Sequence, residues 1–436
     1  MTDHLYFLKE ESDFAQGTPE NVRWLGDGLA LNNPAGDTAM CGTYTTPIVP
    51  APAFAALAAS WNADTPEGCT VELCARVQAD GQWSGWLHWG TWGLFVPRAS
   101  TPGQGNALAR LEDDILRVQH KQGATAFQLR LTLHGTPAAT PVVHLVCAAL
   151  HTLRRQPQRG STLQQKNVPV PAYSLRIRDT RLAAQTTMPA AIAMLMNRWG
   201  EDVLPEEAAY ACYDYGTQGY NSRPFALALA GACGFECFAV FTDAEGLKRE
   251  VKNGFGCGVR LVADGPDATA SPQALVVRGF DTAQDGTEYV LVNNPLAATD
   301  AEAQQRLPLD DFLGRWDGTA CLLHRRRSGR PCGPVRVAGE LRRTELPGEY
   351  ALYVKGKRHS LPTDLCTREG RCTGTVCYTV QDDHAYATTA HKRFYYTNIT
   401  PSGNIRLDTG LMPSGTRLTA YVITELGKMV VAGLTL

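Results

Sequence analysis

The chain has 436 residues, too many for one hydrophobic core and enough for about three domains of roughly 150 residues each. Its 41 basic and 43 acidic residues leave a formal net charge of -2, so no overall field draws it to nucleic acid or to an anionic membrane. No apolar run approaches the roughly 18 residues that cross a bilayer, and Met1-Thr2-Asp3-His4 opens no basic or apolar leader, so a cytoplasmic protein without a membrane span is expected.

In the first segment, residues 1–155, Val71, Leu73, Ala75 and Val77 recur at every second position, as do Phe127, Leu129, Leu131 and Leu133. That period marks half-buried strands. With further strand-like runs near Met40 to Val49 and Pro141 to Leu150, and a turn at Ala79-Asp80-Gly81, the segment reads as an antiparallel β-sandwich. Trp83, Trp86, Trp89 and Trp92 follow at a spacing of three, which cannot hold all four on one face of a strand. Core or ladder packing is expected of them; a stacking platform for a sugar or a peptide is the alternative. The polar, proline-bearing stretch His151 to Ser174 reads as a linker.

The middle segment, residues 172–326, switches period. Ala190 to Asn197 reads as an apolar helix ended near Gly200, and Pro205-Glu206-Glu207 opens another that closes at Gly216 with Cys212 in its middle. Pro224 to Ala232 and Asp243 to Lys252 are also helical in pattern. Strands follow at Cys257 to Val262, Ala274 to Phe280 and Tyr289 to Asn293, the last two joined as a hairpin by Asp285-Gly286. Helices first and strands afterwards imply an α+β domain. The 13 cysteines of the chain lack the dense spacing of a secreted scaffold, and Cys212, Cys233, Cys237 and Cys257 read as buried, reduced thiols. Cys233 and Cys237 have no histidine or second cysteine pair beside them, so no metal or other cofactor is expected.

The charge run His324 to Pro331 reads as a solvated connector. Residues 334–436 then form a small all-β module, with strands at Tyr350 to Val354, Thr375 to Val380, Arg393 to Tyr396 and Arg417 to Thr424, and a turn at Glu425 to Lys428 leading into Met429 to Ala432. Cys366, Cys372 and Cys377 with His384 or His391 fit no standard zinc spacing, so ordinary packing is expected there. Asn398-Ile399-Thr400 matches a glycosylation sequon but reads as a turn.

Three ordered motifs carry a resemblance. Thr187-Met188-Pro189-Ala190-Ala191 opens a helix and continues into Met194 to Asn197; Pro272-Gln273 precedes Val276-Val277-Arg278-Gly279; and Asn293-Asn294-Pro295 closes the next strand. Residues 172–326 thereby resemble the papain-like cysteine peptidases related to the bacteriocin-processing, double-glycine leader peptidases, where those places hold Cys-Ser-Pro-Thr-Ser, Gly-His before a Val-Val-Gly strand, and Asn-Asp-Pro. The segment Gly200 to Glu207 and the tail Phe312 to Trp316 are similar too, and some members carry a Trp-rich β-sandwich ahead of the peptidase domain.

The resemblance implies a nucleophile position at Thr187, a base position at Gln273 and an orienting position at Asn294. All three differ from the residues that the family places there. A thiolate is the nucleophile in such sites; an internal threonine hydroxyl has no comparable ionised fraction, and a carboxamide cannot shuttle a proton. Asparagine alone would be tolerable as an orienter. Between His151 and His324 the chain has no histidine at all, so the middle segment supplies no imidazole of its own. Thr187 is expected to cap the helix, and Gln273 and Asn294 to be buried amides bonded to each other or to backbone. Gln185 stands where related peptidases place an oxyanion-stabilising amide.

The expected protein is therefore a multidomain α+β chain whose middle domain is a non-catalytic peptidase relative. It would bind a peptide, a cell-wall fragment or a protein partner through Gln185, Thr187, Gln273 and Asn294. One alternative is an active hydrolase with an unrecognised Cys–His pair, His151 or His324 contributing. The other is a carbohydrate-binding protein acting through Trp83, Trp86, Trp89 and Trp92.

Overall fold

Every second residue of the strand Thr70–Ala79 is buried, and its neighbour Ala124–His134 hides Phe127, Leu129, Leu131 and Leu133 in the same way, so the period-2 pattern does place one face of each strand inward. The computed structural model describes residues 4–32, 40–178, 180–262, 272–327, 333–361, 374–380, 395–397, 399–410, 412–424 and 427–436. In its N-terminal part thirteen strands make one antiparallel hydrogen-bonded network. The 16-residue strand Val49–Asp64 and the strand Ala124–His134 join the two faces of the expected sandwich, because they pair with each other at Val49 to Phe54 and then diverge to different neighbours. A single helical turn, α1 (Glu11–Phe14), covers one end.

The middle part carries α2 (Thr187–Asn197), α3 (Pro205–Ala211), α4 (Arg223–Ala232), α5 (Ala244–Lys252) and α6 (Leu309–Arg315) against an antiparallel sheet. Its strand order is Phe235–Phe241, Trp316–Arg326, Cys257–Leu261, Gln273–Thr282, Glu288–Asn293, Gln304–Pro308. All eleven residues of α2 are buried, as expected of a helix apolar on every side. Two readings need correction. The helix opened by Pro205 ends at Ala211, with Cys212 as its C-cap rather than its middle, because Asp214 draws the chain into a turn by accepting the Gly216 N–H at 2.8 Å. The His151 to Ser174 stretch is not wholly a linker either. The preceding strand runs on to Thr152, Lys166–Asn167 pairs with Phe280 and Gly279, and Val168, Val170 and Tyr173 are buried.

The first two parts share one core. Phe225 of α4 packs its ring against Trp61 and Trp92, with centroids 6.4 and 5.5 Å away. Asn62 and the Cys237 backbone exchange two hydrogen bonds of 2.8 and 3.0 Å. Gly231 lies so close to Asn62 that a Cβ there would sit 2.8 Å from its Cα. Arg98, fully buried, donates to the carbonyl of Tyr210 at 3.0 Å.

A polar junction closes the same interface. His144 Nε2 lies 3.0 Å from Asp64 Oδ2 and Nδ1 3.1 Å from the Asp27 carbonyl, while Arg327 donates to Asp64 Oδ1 at 3.0 Å. Burial alone would raise the Asp64 carboxyl, but the His144 hydrogen bond and the Arg327 cation together hold it below its ordinary value. A carboxyl lowered in the folded state stabilises above its unfolded pKa of about 3.9 and loses that contribution as the pH falls through the folded value. Asp64→Asn is accordingly expected to lower the thermal midpoint at neutral pH, with the gap to the parent narrowing below about pH 4; calorimetry across that range checks it.

The C-terminal part is the expected all-β module. Its strands run in the order Lys357–His359, Glu349–Val354, Val335–Arg343, Lys428–Thr435, Arg417–Thr424, Gly374–Val380, Tyr395–Thr397, with Val335–Arg343 and Lys428–Thr435 parallel. It has its own core around Leu341, Tyr350 and Val422, while Ile423 and Met429 join the main core. Arg178 and Glu206 seal that contact by two hydrogen bonds of 2.8 Å, and the Tyr396 hydroxyl donates to Glu206 at 2.6 Å. Cys366, Cys372, His384, His391, Arg393, Asn398, Glu425 and Leu426, and Ser328 to Pro331 of the connector, lie outside the described residues. Among the described residues no helix is long and apolar enough to cross a membrane.

Candidate functional site

Thr186, not Thr187, occupies the cap position of α2, and its hydroxyl donates back to the Leu182 carbonyl at 2.9 Å, leaving the helix end uncapped from within. The Met188 N–H is taken instead by Asn221 Oδ1 at 3.1 Å. Thr187 is the first helical residue and 1 % exposed. Its Oγ1 accepts the Ala274 N–H at 3.1 Å, so the hydroxyl ties helix to sheet. The capping role expected of Thr187 is thus corrected, for one residue into the helix the side chain faces the strand it packs on and not the open first turn.

Next to that tie stands Gln273, whose Nε2 donates to Asn294 Oδ1 at 2.5 Å; Asn294 in turn donates from Nδ2 to Gln305 Oε1 at 3.1 Å and accepts the Leu296 N–H at 2.9 Å. Both amides are half-buried rather than buried. The fold therefore brings positions 187, 273 and 294 into one line, helix start to strand start to strand end, with a hydroxyl and two carboxamides on it. None of the three titrates near neutrality.

The thiols of the middle domain are buried. Burial pushes Cys212 and Cys321 up to about 12 and Cys233, Cys237 and Cys257 likewise far above an ordinary thiol. None of these five hydrogen-bonds a histidine; Cys237, for one, donates to the Leu227 carbonyl at 3.1 Å. The flanking histidines are engaged elsewhere. His324 Nε2 is 2.8 Å from Glu250 Oε2 between the rings of Phe238 and Phe255, and His151 packs on Phe241, where burial and then Arg155 and Arg117 lower its basicity.

Beside the start of α2 opens a cleft of about 640 Å³. Gln185, Asn221 and Arg260 line it from the middle domain, and Trp89, Asp113 and Asp114 from the N-terminal one. Gln185 lines the cleft, whereas Thr187, Gln273 and Asn294, expected to bind the same ligand, are not among the residues that line it. Asp113 and Asp114 form the tip of the hairpin between Ala109–Glu112 and Ile115–Val118, both with positive φ (48° and 67°), a turn in which aspartate is one of the few tolerated side chains. Burial raises the Asp114 carboxyl, which accepts the Arg223 N–H at 3.0 Å. Arg260, Asn221 and Asp114 escape a reading of the sequence; the one signal for Arg260 is a lone cation inside the apolar run Cys257 to Val262.

The tryptophans divide. Trp89 and Trp92 are core, with Trp89 Nε1 donating to the Asp114 carbonyl at 2.8 Å. Trp83 and Trp86 make the ladder: Arg76 lies 4.7 and 4.8 Å from their ring centres, and Arg130 lies 4.2 Å from that of Trp86. Guanidinium groups thus occupy ring faces that a sugar would need.

Residues 4–150 match the peptidase C39 N-terminal domain family and residues 177–323 the peptidase C39-like family. No curated protein matches the chain. Among solved structures it is similar to the peptidase domain of Streptococcus ComA, a bifunctional ABC transporter involved in a quorum-sensing pathway, at 19% identity and a TM-score of 0.25, over 36% of this chain and 96% of that one. A second similarity is to TmCBM61 in complex with beta-1,4-galactotriose, at 9% identity and a TM-score of 0.17, over 33% and 86% of the two chains. With its first part matched by the peptidase C39 N-terminal domain family and its middle part by the peptidase C39-like family, the chain carries two neighbouring domains of the peptidase C39 group.

Proposed function

We propose that this chain is a non-catalytic member of the family, which binds a peptide or an extended protein segment in the cleft beside α2. The observation that supports this reading is that Thr187 bonds to the backbone of Ala274 beside Gln273, and Gln273 to Asn294, the three residues to which the motif resemblance assigns the thiol, imidazole and carboxylate positions. A serviceable acyl-transfer site needs a nucleophile and a base within hydrogen-bond reach, and here the corresponding groups are an occupied hydroxyl and an amide. A cleft lined by Gln185, Asn221 and Arg260 opens beside the start of α2 and is the binding surface proposed. Incubating the protein with a mixed peptide library tests the reading: peptides retained on the protein with no new termini by mass spectrometry are expected. Turnover that one alkylated cysteine abolishes would overturn it.

A further inference from the structure

Arg260 lies on the strand Cys257–Leu261 in register with Ala274, the residue whose N–H holds Thr187. Its side chain lines the cleft and is 13% exposed, yet its one ion pair, to Asp113 Oδ1, spans 3.9 Å, beyond hydrogen-bond length. Asp113 is itself 76% exposed. Among the described residues the guanidinium makes no hydrogen bond, so its fork of five N–H donors can take an acceptor from the cleft, with Asp113 and Asp114 as the carboxylates that act on its charge.

Two amides share that wall. Asn221 has its oxygen fixed on the Met188 N–H, which leaves its NH₂ group uncommitted at the cleft surface. Gln185, also half-buried in the wall, has a side chain free of hydrogen bonds among the described residues. Arg260, Asn221 and Gln185 thus offer donors to one cleft, whose wall also carries the Asp113, Asp114 and Asp214 carboxylates, and an acceptor with two oxygens in one plane fits the guanidinium fork.

We propose that this wall grips the free C-terminal carboxylate of a linear peptide, with Arg260 donating two parallel N–H bonds and Asn221 and Gln185 meeting the remaining lone pairs. The inference rests on the peptide-binding reading above and names the chemical end of the peptide that the cleft selects. Asp113 competes for the same guanidinium and so weakens the grip.

Calorimetric titration of the full chain tests this with two probes, N-acetyl-tetraalanine as the free acid and as its C-terminal amide. The acid is expected to bind at least about tenfold tighter, the scale of a charged hydrogen-bonded pair. Arg260→Gln abolishes the preference, Arg260→Lys keeps part of it, and Asp113→Asn strengthens the acid several-fold. Unfolding curves confirm that each variant is folded, and the acid-to-amide comparison in the parent needs no variant. Equal affinity for acid and amide would overturn the carboxylate grip while leaving peptide binding intact. Failure of both probes to bind would overturn the grip and the peptide-binding reading together.

Discussion

The triple variant T187C/Q273H/N294D is expected to gain an iodoacetamide-reactive thiol at position 187 that the parent and the single variant T187C lack. The expectation follows from register: Thr187 Oγ1 already lies 3.1 Å from the Ala274 N–H, and the Gln273 side chain already reaches Asn294. An imidazole at 273 held by a carboxylate at 294 is expected to face the new sulfur. A thiol of ordinary pKa, about 8.5, is a few per cent ionised at pH 7, whereas one paired with an imidazolium is mostly ionised. Labelling at 187 should therefore run at least about tenfold faster in the triple variant than in T187C. Cys212 and Cys321, held near 12 by burial, should stay unlabelled in both. Site-resolved mass spectrometry measures the rates, and equal rates in the single and triple variants would mean that the three positions do not act on one another.

Glu206→Gln should be the most damaging single change at the junction with the C-terminal module, at about 3–5 kcal/mol. Arg178 and Glu206 are each 4% exposed at the side chain and meet through a two-pronged bond. Burial opposes the ionised form of Glu206, but Arg178 and then Tyr396 outweigh it and hold the carboxyl low. The amide would leave the Arg178 cation buried with one of the two Glu206 acceptors gone. Arg178→Met with Glu206→Leu, which removes both charges, should recover much of the loss, since the pair's attraction mainly offsets its own desolvation. Thermal unfolding of the three proteins decides. A double variant as weak as Glu206→Gln would show that shape, not charge, governs this contact.

Much of the architecture is legible because burial imposes a period. Val71 to Val77 and Phe127 to Leu133 point inward at every second residue as their pattern says, and Asp285-Gly286 makes the hairpin its dipeptide implies. The elements that escape are those whose partners are distant in sequence. Phe235–Phe241 is fixed by the strand Trp316–Arg326, and Val335–Arg343 by its parallel neighbour at the far end of the chain. At Gln273 and Asn294 the candidate site was legible, since the sequence anticipates the hydrogen bond between the two amides. It was misread at Thr187, because capping depends on a one-residue difference in where the helix begins. Arg260 and Asn221 carry no local signal, since their meaning comes only from the cleft into which other elements bring them.

The shared core of Phe225, Trp61, Trp92 and the Asn62–Cys237 exchange has a mechanical meaning for the cleft above it. Two bodies fused this way melt together and cannot rock apart on a hinge, so the slot between them keeps one width. A guest then surrenders its own freedom on entry while the host surrenders almost none, and selection falls to whatever shape and charge already fit.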